Sequence, residues 1–210
     1  MTAFTEPRVR IFIATALDPG LIEQLLDIQR ELRDALPGGS VRWIKPSQFH
    51  LTLKFLGAVS PDLENLNGLA AALRRACNGM AAFRLVLDGM GCFPNSQNPR
   101  ILWRGINGAL EALGTLQKRI EHEARDFGDR NQERTFQPHL TLGRVRAFGK
   151  EARQVGEAVE RLNVPVPGEW TVRQIHLMQS VLSSEGARYV TLDTIPLPAG
   201  TGEISLRIRA

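Results

Sequence analysis

The tetrapeptide His-Leu-Thr-Leu occurs twice in this 210-residue chain, at residues 50–53 and again 89 residues later at 139–142. Its surroundings repeat in step. Asp18-Pro19 opens a helical pattern of Ile22, Leu25, Leu26, Leu32 and Leu36, closed by Pro37-Gly38-Gly39. Asn107 opens another through Leu110, Leu113, Leu116, Ile120 and Phe127, closed by Gly128. A strand-like apolar run precedes each, Arg10-Ile11-Phe12-Ile13 and Arg100-Ile101-Leu102-Trp103. A further helix follows each tetrapeptide, one entered through Ser60-Pro61 and one near Lys150, and then come strand-like stretches at 83–90 and 170–181. Each half reads strand, helix, strand, helix, strand. The pattern predicts an α+β fold of two lobes related by a pseudo-twofold axis, each a mainly antiparallel sheet with outer helices, forming a central groove. Residues 1–210 make one bilobal domain in this reading, with 187–195 and 203–209 as added edge strands.

Composition removes several classes. With 43% hydrophobic and 23% charged residues the chain can bury a core, so it reads as globular and not disordered. No apolar run approaches the roughly 20 residues of a membrane helix; the run from Ile11 to Leu17 stops at Asp18-Pro19 and reads as a first strand. Cys77 and Cys92 lie far apart without a Cys-x-x-Cys pair, which leaves neither a disulfide scaffold nor a thiolate zinc site. The expected setting is cytoplasmic, without membrane contact. Net charge is +4, and 22 of the 26 basic residues are arginine, the better fork for phosphate.

In a strand, His50 and Thr52 share one face about 7 Å apart while Leu51 and Leu53 point to the core, and His139, Thr141, Leu140 and Leu142 do the same. If the lobes face each other, two imidazoles and two hydroxyls meet in one groove. One neutral and one charged imidazole divide base and acid work near neutral pH, and two threonine hydroxyls can donate to phosphoryl oxygens. A 2′,3′-cyclic phosphate suits that pairing. The competing readings are structural histidines beside strand threonines and a two-histidine metal site. No carboxylate or cysteine lies in the motifs and threonine is a poor ligand, so no metal and no cofactor is expected.

These residues resemble the two-histidine phosphoesterase superfamily, and within it the bacterial RNA 2′,3′-cyclic phosphodiesterases, also called 2′-5′ RNA ligases. The likeness runs from Arg10-Ile11-Phe12-Ile13-Ala14 through Trp43-Ile44-Lys45-Pro46 and the stretch 49–57 to 138–144, Ser180-Val181-Leu182 and Gly186-Ala187-Arg188-Tyr189. It implies hydrolysis of a terminal RNA 2′,3′-cyclic phosphate to a 2′-phosphomonoester, with His50 as proton donor, His139 as acceptor, and Thr52 and Thr141 on phosphate oxygens. Spacing alone does not assign the two histidine roles. The resemblance also implies tRNA fragments among the substrates and a secondary, reversible 2′-5′ joining. The protein is expected to act as a monomer.

Strict alternation puts Lys54 on the His50 face, toward a ribose phosphate, or leaves it solvated at a strand end. Arg144 matches the family pattern, yet five residues past His139 it turns away unless a bulge or strand end at Gly143 returns it. Phe12 and Trp43 are candidates to stack a base, with core packing the competing reading for Phe12. His122, His176, Cys77 and Cys92 read as structural or solvated. Two other functions fit the same residues: a phosphodiesterase for another small 2′-linked or cyclic nucleotide, separated by a substrate panel, and a non-catalytic nucleotide- or RNA-binding module, marked by binding without turnover.

Overall fold

The computed structural model describes residues 8–128, 135–162, 168–183 and 186–199. In chain order the elements are β1 (Val9–Thr15), α1 (Pro19–Ala35), β2 (Val41–Trp43), a 3-10 turn (Pro46–Gln48), β3 (Leu51–Val59), α2 (Leu63–Cys77) and β4 (Phe83–Phe93). They continue with β5 (Ile101–Gly108), α3 (Leu110–Glu123), β6 (His139–Val145), α4 (Gly149–Arg161), β7 (Glu169–Val172), β8 (Gln174–Ser183) and β9 (Gly186–Pro196). The strands form one antiparallel sheet in the order β7-β4-β5-β6-β3-β1-β8-β9, with β2 also paired to β6. The fold is a mixed α+β architecture, with four α-helices among the described residues on a curled antiparallel sheet.

The two arms meet where β6 touches β3, at the pair Leu51–Leu140, both fully buried. Each arm draws strands from both halves of the sequence. β4, which closes the first half, pairs with β5, and β8 from the second half pairs with β1. The stretch expected as one strand at 170–181 breaks at Arg173 into β7 and β8, which go to opposite arms of the sheet. Apolar alternation reports which face of a strand is buried, not which edge it pairs with, so this exchange leaves no mark in the spacing. Residues 187–195 lie in β9 at one end of the sheet, and 203–209 fall outside the described residues.

The helices pack outside. α1 lies against β2 and β6, where Gln29 reaches the carbonyls of Ile44 and Leu142. α2 and α3 pack together over the other arm; Phe127, just past α3, meets α2 at Gly68, whose added Cβ would sit 3.4 Å from its ring. The cap of α2 is Asp62 rather than Ser60: its carboxylate accepts from Asn65 N at 2.7 Å, and the Ser60 hydroxyl donates to the same carboxylate at 2.6 Å. Gly128 ends the α3 turn at φ +82°, where a Cβ would overlap the Leu56 carbonyl, so glycine is required there. Among the described residues no helix is long and apolar enough to cross a membrane.

Candidate active site

Antiparallel register carries the Leu51–Leu140 pair one step either way, setting His50 opposite Thr141 and Thr52 opposite His139. All four lie on the face opposite the buried leucines. The histidines are then diagonal neighbours, with Cβ atoms about 7–8 Å apart. Each imidazole is held the same way: Nδ1 of His50 lies 2.7 Å from the Gln48 carbonyl oxygen, and Nδ1 of His139 lies 2.7 Å from that of Gln137. A carbonyl only accepts, so Nδ1 carries the proton and Nε2 presents its lone pair. The repeat was therefore longer than four residues, since Gln-x-His-Leu-Thr-Leu stands at 48–53 and 137–142. That extension was the sequence signal for the orienting carbonyls.

Gln48 does more on the His50 side. Its Nε2 donates to the Ala187 carbonyl at 2.5 Å and its Oε1 accepts from Lys45 N at 3.1 Å, tying the turn before β3 to the start of β9. Tyr189 of β9 consequently packs edge-on against His50, with centroids 5.2 Å apart, and Phe12 lies 4.9 Å from the same imidazole. On the other side Phe93 meets His139 edge-on at 4.9 Å and is backed by Trp103. Nothing local in the sequence links Tyr189, Phe93 and Trp103 to the histidines, so strand alternation does not single them out.

Both imidazoles are easier to deprotonate than usual. His50 is lowered to about 4, chiefly by burial and further by the neighbouring His139 and Arg144, against the opposing bond from Gln48. Burial also lowers His139, against its bond to Gln137. Burial raises the Tyr189 hydroxyl, and Arg144 partly offsets this. Arg144 therefore faces the site.

It gets there through a bulge. In β6 the register jumps from Trp103–Thr141 to Leu102–Gly143, leaving Leu142 as the extra residue. In β3 it jumps from Ala14–Thr52 to Ile13–Lys54, leaving Leu53 extra. The fourth residue of the tetrapeptide is bulged in both copies, and alternation beyond it is reversed. The fifth residue after each histidine, Arg144 and Phe55, thus turns to the site face. Phe55 is 55% exposed and its ring lies 6.1 Å from that of Phe12.

The same reversal corrects Lys54, which leaves the histidine face and pairs with Glu121 of α3. Because Lys54 faces α3 and not the groove, Lys54→Met should leave kcat/KM within about twofold; a tenfold fall in steady-state assays would return Lys54 to the substrate. Phe12, only 3% exposed, supports His50 and has no open face for a base. Trp43 is paired with Gly143, the residue before the site-facing Arg144, and so points to the opposite face, where Arg33 of α1 lies 5.1 Å over its ring. Of the remaining candidates, His176 is buried on β8 with Nδ1 3.1 Å from the Thr194 hydroxyl. His122 lies on α3, away from the groove, and burial pushes both cysteine thiols up to about 11.

Two oriented imidazoles and two threonines on facing strands of a curled antiparallel sheet define the two-histidine phosphoesterase class. The LigT-like phosphoesterase family model matches residues 16–103 and 106–189, and the chain belongs to that family. It is 30% identical over 190 residues to an RNA 2′,3′-cyclic phosphodiesterase of Methanothermobacter thermautotrophicus, covering 90% of this chain and 100% of that one. It is 32% identical over 168 residues to one of Aeropyrum pernix, covering 77% and 90%. The crystal structure of Escherichia coli LigT complexed with 3′-AMP superposes with a TM-score of 0.71 at 26% identity, covering 91% of this chain and 99% of that one.

Proposed function

We propose that the protein hydrolyses the terminal 2′,3′-cyclic phosphate of RNA to a 2′-phosphomonoester without a metal ion. The observation that carries this reading is the pair of imidazoles, each with Nδ1 locked on a backbone carbonyl and Nε2 without a partner among the described residues, beside the Arg144 guanidinium. The relatives named RNA 2′,3′-cyclic phosphodiesterase support it. In this mechanism His139 takes a proton from water as its oxygen attacks phosphorus, and His50 gives a proton to the departing 3′ oxygen of the ribose. Thr52 and Thr141 donate to the non-bridging oxygens, and Arg144 meets the charge that builds on them. Phe55 offers its exposed ring to the terminal base. The 210 residues act as one duplicated, bilobal, monomeric unit in the cytoplasm, and 2′-5′ joining of tRNA fragments is the same displacement with a 5′ hydroxyl in place of water, the 3′ oxygen again departing.

His50 is neutral in the free protein at pH 7, so its acid role requires the substrate phosphate, whose negative charge raises it on binding. kcat/KM reports the free protein, where both histidines titrate below 6.5. It should therefore fall about tenfold per pH unit above neutrality as the acid is lost, while the limb of kcat lies at higher pH. A kcat/KM profile flat from about pH 6 to 8 excludes a charged imidazole as the acid.

The direct test is a short RNA ending in a 2′,3′-cyclic phosphate, incubated with and without EDTA, with 2′- and 3′-phosphate products resolved. EDTA-resistant formation of the 2′-phosphate is expected. Arrest by EDTA overturns the metal-free step, and tight binding without turnover moves the binding-module reading ahead.

A further inference from the structure

Arg42 lies directly opposite Arg144 in the β2–β6 pair. Opposed residues of antiparallel strands share a face with Cβ atoms about 5 Å apart, and like charges so placed repel. The flanking residues leave no alternative: Val41 is buried and Trp43 lies under Arg33, so Arg42 must take the site face. Neither arginine is ion-paired to a carboxylate among the described residues, and both are exposed. The Arg42 guanidinium is also placed, because it extends to Gly186 at the start of β9, where an added Cβ would come 2.5 Å from Nη2. Gly186 has φ +116°, a conformation open to glycine, so the close approach depends on that residue.

Two guanidiniums that repel each other yet share one face are stabilised by an anion. Arg144 serves the reacting phosphate under the function proposed above. Arg42 lies across the strand pair from Arg144, with its guanidinium carried to the start of β9. We propose that Arg42 forms a second phosphate subsite, which takes the phosphate on the 5′ oxygen of the terminal nucleotide. This inference rests on the cyclic-phosphate reading and deepens it: the preferred substrate carries a 5′ phosphate besides the cyclic one. That phosphate has two sources, a monoester on a single nucleotide or the diester of a longer strand.

Three substrates separate the cases: a nucleoside 2′,3′-cyclic phosphate, the same nucleotide with a 5′-phosphate, and a dinucleotide ending in the cyclic phosphate. Wild-type kcat/KM should be about tenfold or more higher for either phosphate-bearing substrate than for the nucleoside cyclic phosphate. Arg42→Gln should collapse that ratio toward one, and Arg42→Lys, which keeps a charge but loses the fork, should leave an intermediate ratio. The salt dependence of log kcat/KM on the dinucleotide should become shallower by about one unit in Arg42→Gln. A preference for the 5′-monoester alone assigns the subsite to mononucleotides; an equal or larger preference for the dinucleotide assigns it to a strand. Equal wild-type kcat/KM on all three substrates, or a ratio unmoved by Arg42→Gln, overturns the subsite alone. Turnover of none of the three overturns the cyclic-phosphate reading itself, and the subsite with it.

Discussion

His50→Ala and His139→Ala should each lower kcat on a cyclic-phosphate RNA end by about 10²- to 10⁴-fold, the span carried by one positioned acid or base. Each ring contributes a lone pair or proton at Nε2 that no neighbour can replace, since the arginine and threonine side chains beside them do not exchange a proton near neutral pH and the rest are aromatic rings and backbone. The double variant should fall little below the worse single one, because acid and base act in the same transition state and their losses do not add. Folding is expected to survive. What each truncation removes from the fold is one bond to a carbonyl and some aromatic contact, about 1 kcal/mol for the bond. Single-turnover assays on the variants, paired with thermal melts, separate the two effects. A single variant that keeps a tenth of wild-type kcat, with its melt unchanged, removes that histidine from the chemistry.

The histidines were legible because a strand places alternate residues on one face and the tetrapeptide was doubled. Beyond the tetrapeptide strict alternation misplaces Lys54 and admits Arg144 only through a bulge, for one physical reason. Period-two alternation assumes an unbroken ladder, and the ladder breaks at Leu53 and at Leu142. One extra residue sends Lys54 to Glu121 instead of the groove and brings Arg144 and Phe55 to the groove instead of away from it. Leucine is no bulge signal in itself; only Gly143, next to the second break, hinted at one. The aromatic support was invisible for a different reason. Tyr189 reaches His50 because Gln48 bonds to Ala187 across 139 residues of sequence, and no local pattern encodes a contact of that range. The helices fared better, since α1, α3 and α4 begin within three residues of their expected starts, while the Ser60 cap was displaced by a stronger acceptor two positions on.

Arg144→Ala should lower kcat/KM about 10²- to 10³-fold, the usual loss when a donor aimed at developing charge is removed from a reacting oxygen. Its second effect has a definite sign. Arg144 helps hold His50 in the neutral form, so its removal lets the His50 pKa rise and moves the acid limb of the pH profile upward. The position of Arg144 depends in turn on Gln29 of α1, which is fully buried. Gln29 Nε2 donates to the carbonyl of the bulged Leu142 at 2.8 Å and to that of Ile44 at 2.9 Å, pinning the register break that turns Arg144 inward. Gln29→Leu leaves the Ile44 carbonyl buried without its donor, at a cost of about 1–3 kcal/mol, or roughly 3–10 °C in Tm for a chain of this size. Once the bulge loosens, Arg144 has less to lose. Arg144→Ala should therefore reduce kcat/KM by a smaller factor in the Gln29→Leu background than in wild type, a coupling that general loosening of the fold would not produce. Additive effects of the two substitutions in a double-mutant cycle confine Gln29 to stability and leave the bulge to hold itself.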